Sequence, residues 1–140
     1  MELIRKEELP LVAYQGMNSV HLKELDILNE LYGALVEGAP VEKIDALLEG
    51  FIRDVEEHFS YEEDLMRKTH FFAYECHSGE HNRVRQELQE VKKRWQETRD
   101  REFLKSYFEK TFKPWITEHI LTMDTVTSQW FARLLLGALP

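Results

Sequence analysis

One cysteine, four prolines and six glycines are all that this chain of 140 residues holds of those types, and each scarcity excludes something. The lone thiol, Cys76, rules out an intrachain disulfide and gives no sign of an oxidising compartment. So few glycines and prolines, mostly at edges or between periodic segments, leave little turn chemistry for a β-fold and suit long helices. Basic charge is short as well: 18 Lys and Arg stand against 26 Asp and Glu, a formal net charge of −8. A surface of that sign does not neutralise phosphates, so nucleic acid and anionic membranes are disfavoured as partners. No apolar run approaches the roughly 20 residues that span a bilayer, and the opening MELIRKEELP lacks the basic start and apolar core of a secretion signal. A cytoplasmic location is therefore expected.

What remains is 43% hydrophobic and 31% charged, and its length suits one compact domain over residues 1–140. Apolar residues recur at steps of three and four. The first helix is expected from about Asn18 to Glu37, with His21, Leu25, Leu28, Leu31 or Tyr32, and Leu35 on one face, stopped by Gly38 and Pro40. The second runs from Val41 through Ile44, Leu48, Phe51, Val55, His58, Phe59, Glu62, Leu65 and Met66, fraying between Lys68 and Ala73. The third repeats Tyr74, His77, His81, Val84, Leu88, Val91 and Trp95. Asp100 can cap a fourth, whose inner face reads Phe103, Leu104, Tyr107, Phe108, Thr111, Phe112, Trp115, Ile116, His119 and Ile120. Pro114 interrupts that face and predicts a kink. Short connections predict an all-α, up-down-up-down four-helix bundle, with WFARLLLGALP as a C-terminal helical extension capping one end.

Five of the six histidines fall on these inward faces. Rise along the helices, roughly 1.5 Å per residue, brings them to one height. His21 stands about 16 residues before the first turn and His58 about 18 after it; His77 with His81, and His119, stand about 19 either side of Asp100. Burying imidazoles and carboxylates together is costly unless each is paired or coordinated, and a metal centre removes that cost. His58 and Glu62 are four apart, as are His77 and His81, so each pair projects from one face. His119 and Asp124 are five apart, which places Asp124 off that face unless the helix is distorted or ends. The donors are nitrogen and oxygen without thiolate, which suits iron or manganese rather than structural zinc.

Two other readings compete for part of this set. His77, Glu80 and His81 spell the H-x-x-E-H of inverzincin peptidases, but that reading leaves three inward histidines unexplained and needs a longer chain. Ferritin-like di-iron sites need a glutamate three residues before a histidine, and no histidine here has one.

The residue set resembles the hemerythrin family, specifically its bacterial single-domain members, over about residues 14–131. The matching residues are His21 in VHLKELDILNELY, His58 and Glu62 in HFSYEEDLM, His77 and His81 in HSGEH, and His119 and Asp124 in WITEHILTMD. The resemblance implies two non-haem iron ions with an oxo or hydroxo bridge. His77, His81 and His119 would hold one iron, His21 and His58 the other, with Glu62 and Asp124 bridging. It further implies reversible end-on binding of dioxygen at the iron held by His21 and His58, with Phe59, Trp115, Ile116 and Ile120 forming an apolar pocket. Oxygen transport, delivery or storage is the expected role, with an oxygen-consuming protein as recipient and no enzymatic activity. Oxygen or redox sensing, or scavenging of peroxide or nitric oxide by the same metal pair, is the alternative. The chain departs from the family pattern at Asn18 and Val20, where Asp and Gln are common, at Phe71 and Phe72 in place of Tyr-Pro, and at Pro114. Other chemistry-bearing residues read plainly: His70 as a surface turn residue, Cys76 as a small buried hydrophobe, and Glu80 and Glu63 as solvated.

Overall fold

The computed structural model describes residues 2–136, and among them there is no strand. A 3-10 turn at Lys6–Glu8 precedes helix α1, Gln15–Glu37, then α2, Val41–Lys68, and α3, Tyr74–Thr98. The fourth helical run, residues 101–135, is composite. Its α-helical pieces Arg101–Tyr107, Lys113–His119 and Thr125–Leu135 are joined by π-helical turns at Phe108–Phe112 and Ile120–Asp124. The first helix packs along the second and the second along the third, while the fourth run touches all three.

Local chemistry explains the boundaries. Gly38 ends α1 in the left-handed region, φ 74°, and Ala39 donates back to the Ala34 carbonyl, the hydrogen-bond pattern that closes a helix with glycine. Arg99 ends α3 at φ 52° without that freedom, and one residue later Asp100 starts the fourth run by accepting from the Phe103 backbone N–H at 3.0 Å. The start of α1 lies three residues ahead of the expected Asn18. That side chain is buried and turned back on the preceding segment, where it accepts from Val12 N and donates to Val12 O, both at 2.9 Å. Pro114 does not interrupt the helix by itself. It follows the first π turn, whose altered hydrogen-bond register sits where a donor is missing.

The apolar faces meet in two clusters. The larger gathers Leu25, Leu28, Leu31, Leu48, Phe51, Val84, Leu88, Trp95, Leu104, Phe108 and Phe112, with Leu3 and Ile4 of the N-terminal segment laid against it. The smaller holds Met17, Met66, Phe71 and Phe131. Thr111, expected inward, is exposed, because it lies in the first π turn where the spacing of the face changes. The expected C-terminal extension falls partly on residues 137–140, outside the described residues; within them, Phe131 and Ala132 are buried. No helix among the described residues is long and apolar enough to cross a membrane.

The Asp100 cap is exposed and remote from the buried histidines, so Asp100→Ala should lower the unfolding free energy by about 1 kcal/mol. A urea titration followed by circular dichroism measures this, with the midpoint falling and the slope unchanged.

Candidate metal centre

Between the two apolar clusters lies a buried polar layer. His21, His58, Glu62, His77, His81, His119 and Asp124 are each no more than 3% exposed. One comes from α1, two from α2, two from α3 and two from the fourth run. Their donor atoms form two groups, Glu62, His77, His81, His119 and Asp124 in one and His21, His58, Glu62 and Asp124 in the other, with all atoms of a group within 4.8 Å of one another.

The two carboxylates belong to both groups, one oxygen turned to each. Glu62 Oε2 lies 2.7 Å from His58 Nε2 and 3.4 Å from His21 Nε2, while its Oε1 lies 3.4 Å from Nε2 of both His77 and His81. Asp124 Oδ2 lies 3.2 Å from His21 Nε2, and its Oδ1 lies 3.0 Å from His77 Nε2 and 3.2 Å from His119 Nε2. Every imidazole thus points Nε2 inward. The second π turn makes this arrangement possible. In a regular α-helix, residues five apart stand about 140° apart; the wider turn at Ile120–Asp124 narrows that angle and returns Asp124 to the face of His119.

Three of the outward nitrogens are held by side chains that the sequence reading had not placed at the site. His58 Nδ1 donates to Glu24 at 2.5 Å, His77 Nδ1 to the Thr127 hydroxyl at 2.7 Å, and His81 Nδ1 to Glu63 at 2.9 Å. Such partners fix the tautomer and aim the other nitrogen. Glu63 is therefore buried rather than solvated, and Arg85 anchors its two oxygens at 2.9 and 3.0 Å. Spacing offered a signal in two cases: Glu24 is three residues after His21 and Thr127 three after Asp124, each on the same helical face as that residue. For Glu63, adjacent to Glu62, the sequence offers none.

Glu80 is half-buried, accepting from Trp115 Nε1 at 2.7 Å and paired with Arg83, so it is not simply solvated as expected. Cys76, expected buried, is exposed beside a groove lined by Phe71, Leu121, Met123 and Val126; one helical step from His77 carries it off the packed face. His70 lies exposed in its turn. Of the four pocket residues, Ile116 and Ile120 line a cavity of about 10 Å³ with His21, Glu24, Leu25, Leu28, Phe112, Ile4 and Leu9. That is near the least space a water-sized molecule occupies. Phe59 and Trp115 lie elsewhere, stacked on His81 at 3.9 Å and on His119 at 4.6 Å.

The donor set fits a metal on its own evidence. His21 Nδ1 and Nε2, Glu62 Oε1, His81 Nε2 and both Asp124 oxygens are buried without a hydrogen-bond partner, although the opposing charges lie within ion-pair range. Buried polar atoms left so are rare unless something else satisfies them. Five imidazoles and two shared carboxylates within an all-helical chain define a buried histidine–carboxylate metal-binding protein. Comparison places the chain further. Residues 12–130 match the Hemerythrin family, described as the hemerythrin HHE cation binding domain. A relative named bacteriohemerythrin, from Aquifex aeolicus (strain VF5), is 36% identical over 127 residues, covering 91% of this chain and 96% of that protein. No solved structure matches the chain. The chain belongs to the hemerythrin family, whose members bind non-haem iron and dioxygen.

Without metal, the charges of the cluster balance through protons. Burial alone would lower the imidazoles, but hydrogen bonds to Asp124 and Glu62 outweigh it and raise His21 and His77 from 6.5 to about 9. Burial likewise opposes ionisation of Glu62, yet His58 and its neighbours hold that carboxyl well below 4.5. Raised imidazoles stabilise the metal-free fold fully below pH 6.5 and lose that contribution as pH rises through about 9; the lowered carboxyl contributes above 4.5 and loses it as pH falls. The melting temperature of metal-free protein should therefore fall by several degrees as pH climbs from neutral through about 9. Metal-loaded protein should fail in the opposite direction, losing its ions in acid as protons reclaim the imidazoles. Calorimetry with metal analysis across pH checks both arms.

Proposed function

We propose that the chain holds two iron ions in this cluster and binds dioxygen reversibly, for transport, delivery or storage. The carrying observation is the sharing of Glu62 and Asp124 by two imidazole groups, each carboxylate offering one oxygen to each side. On this reading His77, His81 and His119 hold one ion, His21 and His58 the other, and the carboxylates bridge. The unequal split, three imidazoles against two, leaves the His21 and His58 side short of one donor. The small cavity with Ile116 and Ile120 in its wall opens on that same side, at His21. When bound, the metal pair supplies an open coordination place and the electrons that dioxygen binding draws on.

The protein's own residues do the rest. Leu25, Leu28, Phe112, Ile116 and Ile120 keep the cavity apolar, which excludes the water that promotes irreversible oxidation. Phe59 and Trp115, stacked on ligand rings, hold His81 and His119 in orientation. Glu24, Thr127 and Glu63 fix the outward nitrogens. The same reading makes the chain a single domain of up-down-up-down topology, its end closed by the helical stretch after Trp130. It works in the cytoplasm as a carrier without enzymatic turnover, passing oxygen to an oxygen-consuming protein.

Anaerobic reconstitution with ferrous iron, metal counting and an absorption spectrum under cycled oxygen test the reading. About two irons per chain are expected, with a band that appears on admitting oxygen and vanishes on removing it. Two irons with immediate irreversible oxidation would favour the sensing or scavenging alternative instead. His58→Ala should take up less iron or lose the oxygen-dependent band while keeping most of its helical circular dichroism; full iron and an unchanged band in that variant would sink the ligand assignment.

A further inference from the structure

The three outward partners of the ligand rings differ in what stands behind them. Thr127 is neutral, and Glu24 is paired with His58. Among the described residues Glu63 alone of the three is also bound by a basic side chain, Arg85, and the two contacts converge on one atom. Glu63 Oε2 accepts from His81 Nδ1 at 2.9 Å and from Arg85 Nη1 at 2.9 Å, while its Oε1 accepts from Arg85 Nη2 at 3.0 Å. The guanidinium is itself held in place, donating from Nε to Glu56 at 2.7 Å and from Nη1 to Asn82 Oδ1 at 2.8 Å. It reaches His81 by a second route as well. Its central carbon lies 5.4 Å from the centre of the Phe59 ring, and that ring is stacked on the His81 imidazole at 3.9 Å with the planes 3° apart. One cation that belongs neither to the donor groups nor to the small cavity is therefore joined twice to a single ligand ring.

We propose that Arg85 is a positioning residue that sets how strongly His81 donates to the metal pair, and with it the balance between ferrous and ferric iron. The inference rests on reading the cluster as an iron centre. A carboxylate that accepts from the outer nitrogen of a bound imidazole draws that proton toward itself and makes the inner nitrogen a stronger donor, which favours the more highly charged ion. Arg85 competes for the same carboxylate oxygen and binds the other as well, so Glu63 orients His81 while its pull on the Nδ1 proton is moderated. The guanidinium charge acts in the same sense, since a nearby cation disfavours a trivalent ion more than a divalent one. Phe59, in contact with both groups, limits tilting of the His81 ring. Both electrostatic effects hold the centre toward the ferrous state, the one with electrons to give. Without Arg85, Glu63 would keep its hydrogen bond from His81 and lose its counter-charge, and the pull on the imidazole would rise.

The test compares the parent protein with Arg85→Gln, Arg85→Lys and Glu63→Gln. In an anaerobic potentiometric titration of iron-loaded protein, Arg85→Gln should favour ferric iron at least roughly tenfold over the parent, a fall of about 59 mV for one electron. Glu63→Gln, which removes the pull together with the negative charge, should move the balance the opposite way. Arg85→Lys keeps the charge but lacks the fork that binds both oxygens, so its potential should lie between those of the parent and Arg85→Gln. Cobalt(II) added to metal-free chain, with no redox step involved, should bind within roughly tenfold of the parent in both Arg85 variants, because neither removes a ligand or the acceptor of His81 Nδ1. An unchanged potential in Arg85→Gln, with cobalt binding intact, overturns the inference while leaving the metal centre standing. Shifts of the same sign in Arg85→Gln and Glu63→Gln, or loss of cobalt binding in both Arg85 variants, would mark Arg85 as a packing residue and overturn it equally. A parent chain that takes up neither iron nor cobalt overturns the reading of the centre, and this inference with it.

Discussion

The four helical elements converge on two fully buried carboxylates shared by five inward imidazoles. Neither half of that arrangement is tolerable alone. Glu62 and Asp124 without cationic neighbours would be isolated charges in an apolar interior, and five imidazoles without carboxylates would repel any positive charge they gained. Because each oxygen serves one side, the four helical elements are tied to one another through a buried polar layer. The apolar clusters above and below it do the folding, and they also raise the penalty for leaving the layer unsatisfied.

The hydrogen bonds behind the imidazoles make the two sides of the layer unlike. On one side, Glu63 passes from His81 to Arg85 and on to the surface at Glu56, a chain in which each charge has a partner. On the other, Glu24 pairs with His58 and, among the described residues, with no lysine or arginine, beside a cavity near the least space a water-sized molecule occupies. The N-terminal segment closes that cavity: Ile4 and Leu9 form part of its wall, and Asn29 holds Leu3 and Ile4 by their backbone groups. One side is charge-paired out to the surface and the other is closed by a strapped segment, so the two donor groups sit in unlike surroundings.

Helical periodicity made most of this legible in advance, because a histidine on an apolar stripe stands out and its height follows from counting residues. His21, His58, His77, His81 and His119 could be set at one level from the sequence, and the chain's all-helical character followed from sparse glycine and proline. The misses share a cause: neighbours a residue or two from a recognised face look like solvent. Glu63 beside Glu62 read as surface, and Glu24 among the charges of α1 drew no notice, although both are buried. Cys76 erred the other way: one helical step off the face of His77, it read as a small buried hydrophobe where the packed face had already ended. Thr111 depended on a π turn that no propensity in FEKTF announces, whereas the five-residue step from His119 to Asp124 already called for a distorted or ending helix.

Those turns carry a consequence for anyone who would strengthen the protein. Substitution toward better helix formers is the ordinary route to a more stable helix, and a regular α-helix is the state such residues favour. Around Ile120–Asp124 that preference works against the site, since a regularised register swings Asp124 away from His119 and toward the wrong neighbours. Local irregularity is here the functional state, and an improved helix would be a poorer protein. The geometry of this stretch is one that composition does not reveal, and a redesign guided by helix propensity would erase it.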